Sequence, residues 1–305
     1  MTTPELNFLD CDHAGTQPGT HRMAYWSWGK PHHAHVVVCV HGLSRQGRDF
    51  DVLAKRLMGP DGQRCRVVAV DVAGRGMSDW LPDPTLYQIP QYAADLVTLL
   101  FTLRGQGAQT IDWVGTSMGG LIGIAVAAQT VLTPQLKMLA PRKLILNDIG
   151  PVVQWAALQR IKDFLGADQR YASEQEAIDA MWKVSTGFGP HTPEQWRALS
   201  LPLIRADGNQ FKLHYDPAIA VPVRATTPEA AAQGEALLWQ LYDAVQAQTL
   251  LIRGKASDLI SAETAQQMQS RGPKAKLVEF EGVGHAPTLV QPEQTQAVED
   301  FLFEA

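Results

Sequence analysis

The sequence predicts an α/β fold with a mostly parallel central sheet flanked by helices. The first indication is a series of short, near-continuously apolar runs rich in β-branched residues, at 36–40, 66–70, 111–114, 144–146, 250–252 and 277–280. Strands buried on both faces have this composition, whereas strands with one solvated face alternate. The second is that segments of helical character, 91–103 and 121–131, fall between those runs. Strand and helix in alternation imply parallel strands joined by crossover helices. The third is a break in that rhythm. It stops after Leu146-Asn147-Asp148-Ile149-Gly150-Pro151 and resumes near Gln248-Thr249-Leu250.

Taken in order, residues 23–28 alternate loosely and are expected to form an antiparallel edge strand. Val36-Val37-Val38-Cys39-Val40 is the first core strand and runs into His41-Gly42-Leu43. The next strand, 66–70, is followed by Asp71-Val72-Ala73-Gly74-Arg75-Gly76-Met77-Ser78. Between 151 and 245, apolar residues at helical spacing are interrupted by Gly187, Pro190, Pro193 and Pro202, which predicts several short helices. Within that stretch 211–215 alternates and should run extended, and 228–245 should be helical. The expected organisation is a core domain of residues 1–150 and 246–305 carrying a mainly helical cap, 151–245.

Composition narrows the function classes. The chain has 305 residues, 45% of them hydrophobic, enough for a sizeable core. A formal net charge of −5, with no dense Lys/Arg run, gives no electrostatic footprint for nucleic acid. The first ten residues lack the basic start and apolar centre of a signal peptide, and the most apolar stretch, 121–128, is too short to span a bilayer. The expectation is a cytoplasmic protein without a membrane partner. Cys11, Cys39 and Cys65 are odd in number and lack metal-ligand spacing, which argues for reduced thiols and against a disulfide framework or structural zinc. Cys39, inside an apolar run, reads as a core residue. Neither a metal nor a cofactor is expected, and the oligomeric state is not encoded in any pattern.

The chemistry is carried by Gly115-Thr116-Ser117-Met118-Gly119-Gly120, which follows the apolar run 111–114. A sharp strand-to-helix turn would hold Ser117 exposed, and side chains at 115 and 119 would collide with main chain there. Acyl transfer also requires a base, a carboxylate that fixes the base's tautomer, and N–H donors for the developing oxyanion. His285, in Gly282-Val283-Gly284-His285-Ala286-Pro287 after the last strand, is the expected base. Asp258, in the loop that runs off the 250–252 strand, is the preferred carboxylate; Asp148, at the end of the preceding core strand, is its rival. The backbone N–H groups of Leu43 and Met118 are the expected oxyanion donors, with His41 bracing the loop between them.

These motifs, in the order serine, acid, histidine, resemble the α/β-hydrolase fold superfamily along nearly the whole chain, with the cap inserted after the sixth core strand. The resemblance implies a serine hydrolase of the carboxylesterase type acting on small to medium acyl esters, and supporting roles for Asp71, Arg75 and Ser78. Serine at 117 argues against the dehalogenase and epoxide hydrolase chemistry that an aspartate there would imply. Two alternatives remain open: a carbon–carbon bond hydrolase of diketo acids, and a non-catalytic small-molecule-binding protein on the same fold. Leu43-Ser44-Arg45-Gln46-Gly47 departs from the glycine-richer loop common in the carbon–carbon bond hydrolases. Arg45 is a candidate for holding a substrate carboxylate, and Tyr171, Trp182 and His214 are candidates for lining the cap side of the pocket.

Overall fold

The computed structural model describes residues 3–13 and 19–304. Its centre is an eight-stranded sheet of order β1-β2-β4-β3-β5-β6-β9-β10. The strands are β1 (Glu5–Asp12), β2 (Thr20–Trp28), β3 (His35–Val40), β4 (Arg66–Asp71), β5 (Thr110–Thr116), β6 (Lys143–Asn147), β9 (Gln248–Gly254) and β10 (Lys276–Phe280). From β4 to β10 every pairing is parallel, and β2 pairs antiparallel with both β1 and β4. The expected edge strand is therefore one place inward: β1 covers it. β1 escapes a search for apolar runs because most of its residues remain partly or wholly exposed along the sheet edge.

Helices α1 (Asp51–Leu57), α2 (Ile89–Gly105), α3 (Met118–Leu132), α9 (Ala262–Ser270) and α10 (Pro292–Phe303) connect or follow these strands. The sheet has an apolar cluster on each side. Val36, Val38, Val68, Val70, Trp113 and Leu144 belong to the cluster that also takes in α2 and α3 residues, while Val37, Cys39, Val67, Val114 and Ile145 belong to the one shared with α1 and α10. Alternate residues of one strand thus enter opposite clusters, which is why the runs are continuously apolar. Cys39 is buried among them, as its setting in sequence implies.

Between β6 and β9 lie α4 (Trp155–Phe164), α5 (Glu174–Val184), α6 (Pro193–Ser200), the antiparallel hairpin of β7 (Ile204–Asp207) and β8 (Gln210–Leu213), α7 (Ala220–Ala225) and α8 (Pro228–Ala244). The helices and the extended segment near 211 match the sequence pattern; the hairpin that joins β8 to β7 does not show in it. α6 starts on a reciprocal capping box between Thr192 and Gln195. Ile178, Met181, Trp196, Leu199 and Leu203 form a small separate cluster with Val290 of the loop before α10. No helix among the described residues is long and apolar enough to cross a membrane.

The turn from β5 into α3 is the tightest packing in the core. A methyl group on Gly119 would run into the carbonyl oxygen of Val40 in β3, and one on Gly115 into the carbonyl of Gly119. Beneath the turn, Trp113 donates its indole N–H to Gly119 O at 3.1 Å. Gly119→Ala should therefore overpack the junction of β3, β5 and α3 and cost about 1–3 kcal/mol. The check is a urea midpoint that falls at unchanged m-value.

Candidate active site

Ser117 separates β5 from α3 and has φ 51° and ψ −119°. A left-handed φ is costly for a residue with a side chain and persists only where the surroundings enforce it. Here they do so from both sides. Ser117 N–H donates to Asn147 O at 3.0 Å, its carbonyl accepts from Gly120 N–H at 2.8 Å, and the glycines let β5, β3 and α3 meet without side chains between them. Ser117 is left half-buried at the C-terminal ends of the parallel strands, the face where open α/β sheets gather their functional groups.

His285, in the loop after β10, reaches back so that its Nε2 lies 3.0 Å from Ser117 Oγ. Its Nδ1 lies 2.7 Å from Asp148 Oδ2. The Asp148 side chain is fully buried. Its Oδ1 accepts the Gly254 N–H at 2.8 Å, and Oδ2 accepts the Ser257 hydroxyl at 2.6 Å as well as His285. Donors from two loops thus hold this carboxylate, and it can fix the His285 tautomer with Nδ1–H toward Asp148 and Nε2 free to accept the serine proton.

The expectation that Asp258 supplies the carboxylate is not met. Its side chain is half exposed and takes Arg160 of α4, with Nε at 3.0 Å and Nη2 at 2.6 Å from Oδ2. The reason is local. β6 and β9 are parallel neighbours whose ends lie side by side, and Asp148 N–H donates to Ile252 O at 2.7 Å. Asp148, at φ 57°, turns inward at the end of β6. In the loop after β9 it is Ser257, one residue before Asp258, that points to the same place and hydrogen-bonds the acid.

The loop after β3 sits against the elbow: a Cβ built on Gly42 would be 3.6 Å from Ser117 Cβ. The N–H groups of Leu43 and Met118 have no protein acceptor among the described residues, so both are available to an oxyanion. His41 braces this loop, donating from Nδ1 to Gly42 O at 2.7 Å and accepting the Val72 N–H on Nε2 at 3.0 Å. Burial, above all, pushes its pKa down to about 3, so the ring stays neutral. Arg75, also fully buried, donates to Leu43 O at 2.8 Å and to the Tyr92 hydroxyl at 2.8 Å, with Nη2 3.7 Å from Met118 Sδ. Asp71 accepts the N–H groups of Gly47 and Met77, and the Ser78 hydroxyl donates to Asp71 O. These three residues support the loops, as the resemblance implies. Asn147 has the same kind of role and left no signal in sequence: its Nδ2 donates to Thr116 Oγ1 at 3.0 Å and to Pro287 O at 2.8 Å, tying β5, β6 and the His285 loop together.

Of the four candidates for substrate contact, Arg45 and Tyr171 give their polar groups to other protein partners. Arg45 forms a two-point ion pair with Asp49 at 2.6 and 2.8 Å, donates to Leu199 O at 3.3 Å and lies over the Phe188 ring. Tyr171 is buried, pairs its backbone with Phe211 and gives its hydroxyl to Gln169. Trp182 packs edge-on against Trp196 and His191 and lines a groove of about 250 Å³ with Ser185, Thr186, Gly189, Pro190 and Gly282. His214 bridges through its backbone to Leu203 O and Gly76 N–H, while burial and, secondarily, Arg205 lower its pKa. Segment 151–245 nevertheless reaches the site: Gly187 O accepts the Gly284 N–H at 2.6 Å, beside His285.

A family model described as the alpha/beta hydrolase family matches residues 37–299. The chain belongs to the alpha/beta hydrolase family. Among its relatives is a 3-hydroxybutyrate-oligomer hydrolase of Cupriavidus necator, 44% identical over 304 residues and covering 98% of both chains. A 2-(acetamidomethylene)succinate hydrolase of Mesorhizobium japonicum is 27% identical and covers 88% of this chain and 87% of its own. The crystal structure of an alpha/beta hydrolase from Novosphingobium aromaticivorans superposes with a TM-score of 0.81 at 30% identity, covering 99% of both chains. This alpha/beta hydrolase is thus a hydrolytic enzyme, matched by its relatives over the sheet and over the segment between β6 and β9.

The two aspartates differ in what their removal should cost. Asp258→Asn breaks only an exposed ion pair and should change stability by less than about 1 kcal/mol, with Tm as the readout.

Proposed function

We propose that this hydrolase is a serine esterase that cleaves short oligomers of 3-hydroxybutyrate, or closely related hydroxyacyl esters, through an acyl-enzyme at Ser117. The observation that carries the proposal is the relay from Ser117 Oγ to His285 Nε2 at 3.0 Å and from His285 Nδ1 to Asp148 at 2.7 Å. The substrate class is supported by the 44% identity to a 3-hydroxybutyrate-oligomer hydrolase over 98% of both chains.

In this reading Ser117 Oγ attacks the ester carbonyl while its proton passes to His285 Nε2. The carbonyl oxygen, now anionic, is met by the N–H groups of Leu43 and Met118; a donor of this kind contributes about 3 kcal/mol to the barrier reduction. Collapse of the tetrahedral adduct expels the 3-hydroxyl of the next unit, and His285 returns the proton to that alkoxide. Water then enters, gives its proton to His285, and attacks the acyl-enzyme; collapse of this second adduct breaks the bond to Ser117 Oγ, which takes the proton back from His285 as the free acid leaves. Asp148 orients His285 and stabilises the imidazolium that forms twice per cycle.

Segment 151–245 acts as the cap over this chemistry. Arg45, held by Asp49 of its own loop, ties the loop that carries Leu43 to that cap through Leu199 O and the Phe188 ring. It therefore serves as a brace between floor and cover, in place of the carboxylate-binding role that the sequence suggested. Trp182 stabilises the small core of the cap.

A purified protein should release 3-hydroxybutyrate from its linear dimer and trimer, and a fluorophosphonate should label Ser117. Ser117→Ala should lose about 10⁴-fold or more in kcat/KM, and Asp148→Asn about 10³–10⁴-fold, while Asp258→Asn stays within about twofold. Equal loss in the two aspartate variants, or labelling that survives in Ser117→Ala, would overturn the proposal.

Ser257 holds the same carboxylate oxygen as His285. Ser257→Ala should lower kcat by about tenfold with little change in KM. A change confined to KM would contradict its assignment as a positioning residue.

A further inference from the structure

A second cluster of reactive side chains lies on the sheet face beneath α2, away from the Ser117 elbow in the chain's topology. Cys11 of β1 stands directly opposite His21 of β2 in the antiparallel register, so the two share one face. Asp95 of α2 descends onto the pair. Cys11, His21 and Asp95 are 1%, 4% and 1% exposed, and one ligand atom from each lies within 4.8 Å of the others. His21 Nε2 is 3.1 Å from Asp95 Oδ2, and Gln91 Nε2 donates to Asp95 Oδ1 at 2.7 Å. The Cys11 sulfur makes a long contact, 3.9 Å, to Leu9 O and meets the Met23 backbone.

An independent feature points to what this group would hold. With one His21 nitrogen engaged by Asp95, the other, Nδ1, is buried without a partner among the described residues; the His13 ring stacks on that of His21 with centroids 5.4 Å apart. The cluster therefore offers a thiol sulfur, a carboxylate and an imidazole to one point. Buried polar groups without partners are rare, and a cation satisfies several lone pairs at once.

We propose that Cys11, His21 and Asp95 bind one borderline-soft divalent cation of the Zn²⁺ type. Sulfur, imidazole nitrogen and carboxylate oxygen are the donor types that select zinc, at about 2.3, 2.0 and 2.0–2.2 Å. Binding requires Cys11 to release its thiol proton to solvent, after which thiolate and carboxylate together neutralise the two positive charges. The site would fasten the β1–β2 hairpin to α2, a structural role independent of ester cleavage. The odd cysteine count concealed it, because its donors are brought together by strand register and by a helix about seventy residues further on, with no short sequence spacing.

The test uses the full chain, stripped with a chelator and titrated with Zn²⁺ against a chromophoric competitor, and with Co²⁺ as a spectroscopic probe. The expected result is one equivalent bound, a rise in Tm, and a thiolate-to-cobalt charge-transfer band with tetrahedral visible absorption. Cys11→Ser should abolish the charge-transfer band and weaken Zn²⁺ binding by about 100-fold. Asp95→Asn, nearly isosteric, should weaken it as well while esterase activity persists, so loss of fold is distinguished from loss of ligand. Absence of stoichiometric uptake, or uptake unchanged in both variants, would overturn the proposal.

Discussion

The left-handed backbone at Ser117 is the constraint on which the candidate site depends. A residue with a side chain at φ 51° is unstable unless its neighbours leave no alternative. The carbonyl of Val40 in β3 closes on Gly119 from one side, the elbow folds Gly119 back over Gly115, and Asn147 O takes the Ser117 N–H from β6. Three strands and one helix meet at this point. The order β4-β3-β5-β6-β9 makes that meeting possible, since it puts the ends of β3, β6 and β9 on both sides of β5.

From that fixed point the other groups follow by adjacency. The loop after β3, held by a neutral His41 and a buried Arg75, presents the Leu43 N–H and the start of α3 that of Met118, both without acceptors among the described residues. The end of β6 contributes Asp148, and the loop after β9 contributes the Ser257 hydroxyl and the Gly254 N–H that hold its carboxylate. His285 spans the distance between the acid and the serine. The work is thus divided between β6 and β9: the aspartate comes from one strand end and the supporting hydroxyl from its neighbour.

How much of this could be read in the sequence depends on how far each signal travels along the chain. Ser117, Met118, Leu43 and His285 were legible because their settings are local, a strand followed at once by glycines. The parallel sheet was legible because burial on both faces leaves continuous apolar runs. The choice between Asp148 and Asp258 was not, since both end neighbouring strands and only the direction of the side chain separates them. That direction is set by the left-handed φ at Asp148 and by Ser257 occupying the inward position. β1 was invisible for a different reason: an edge strand with exposed residues carries no apolar run, and without it the pairing of Cys11 with His21 cannot be seen. Arg45 and Tyr171 give their polar groups to Asp49 and Gln169, contacts that neither residue type nor position along the chain reveals.

The central claim is that Asp148, and not Asp258, fixes the proton on His285 Nδ1. Proton NMR of the resting enzyme tests it directly, because an imidazole N–H donated to a buried carboxylate resonates far downfield of the amide region. The account predicts such a resonance in the wild type and in Asp258→Asn, and its loss or large upfield displacement in Asp148→Asn. A resonance unchanged in Asp148→Asn but lost in Asp258→Asn would contradict it.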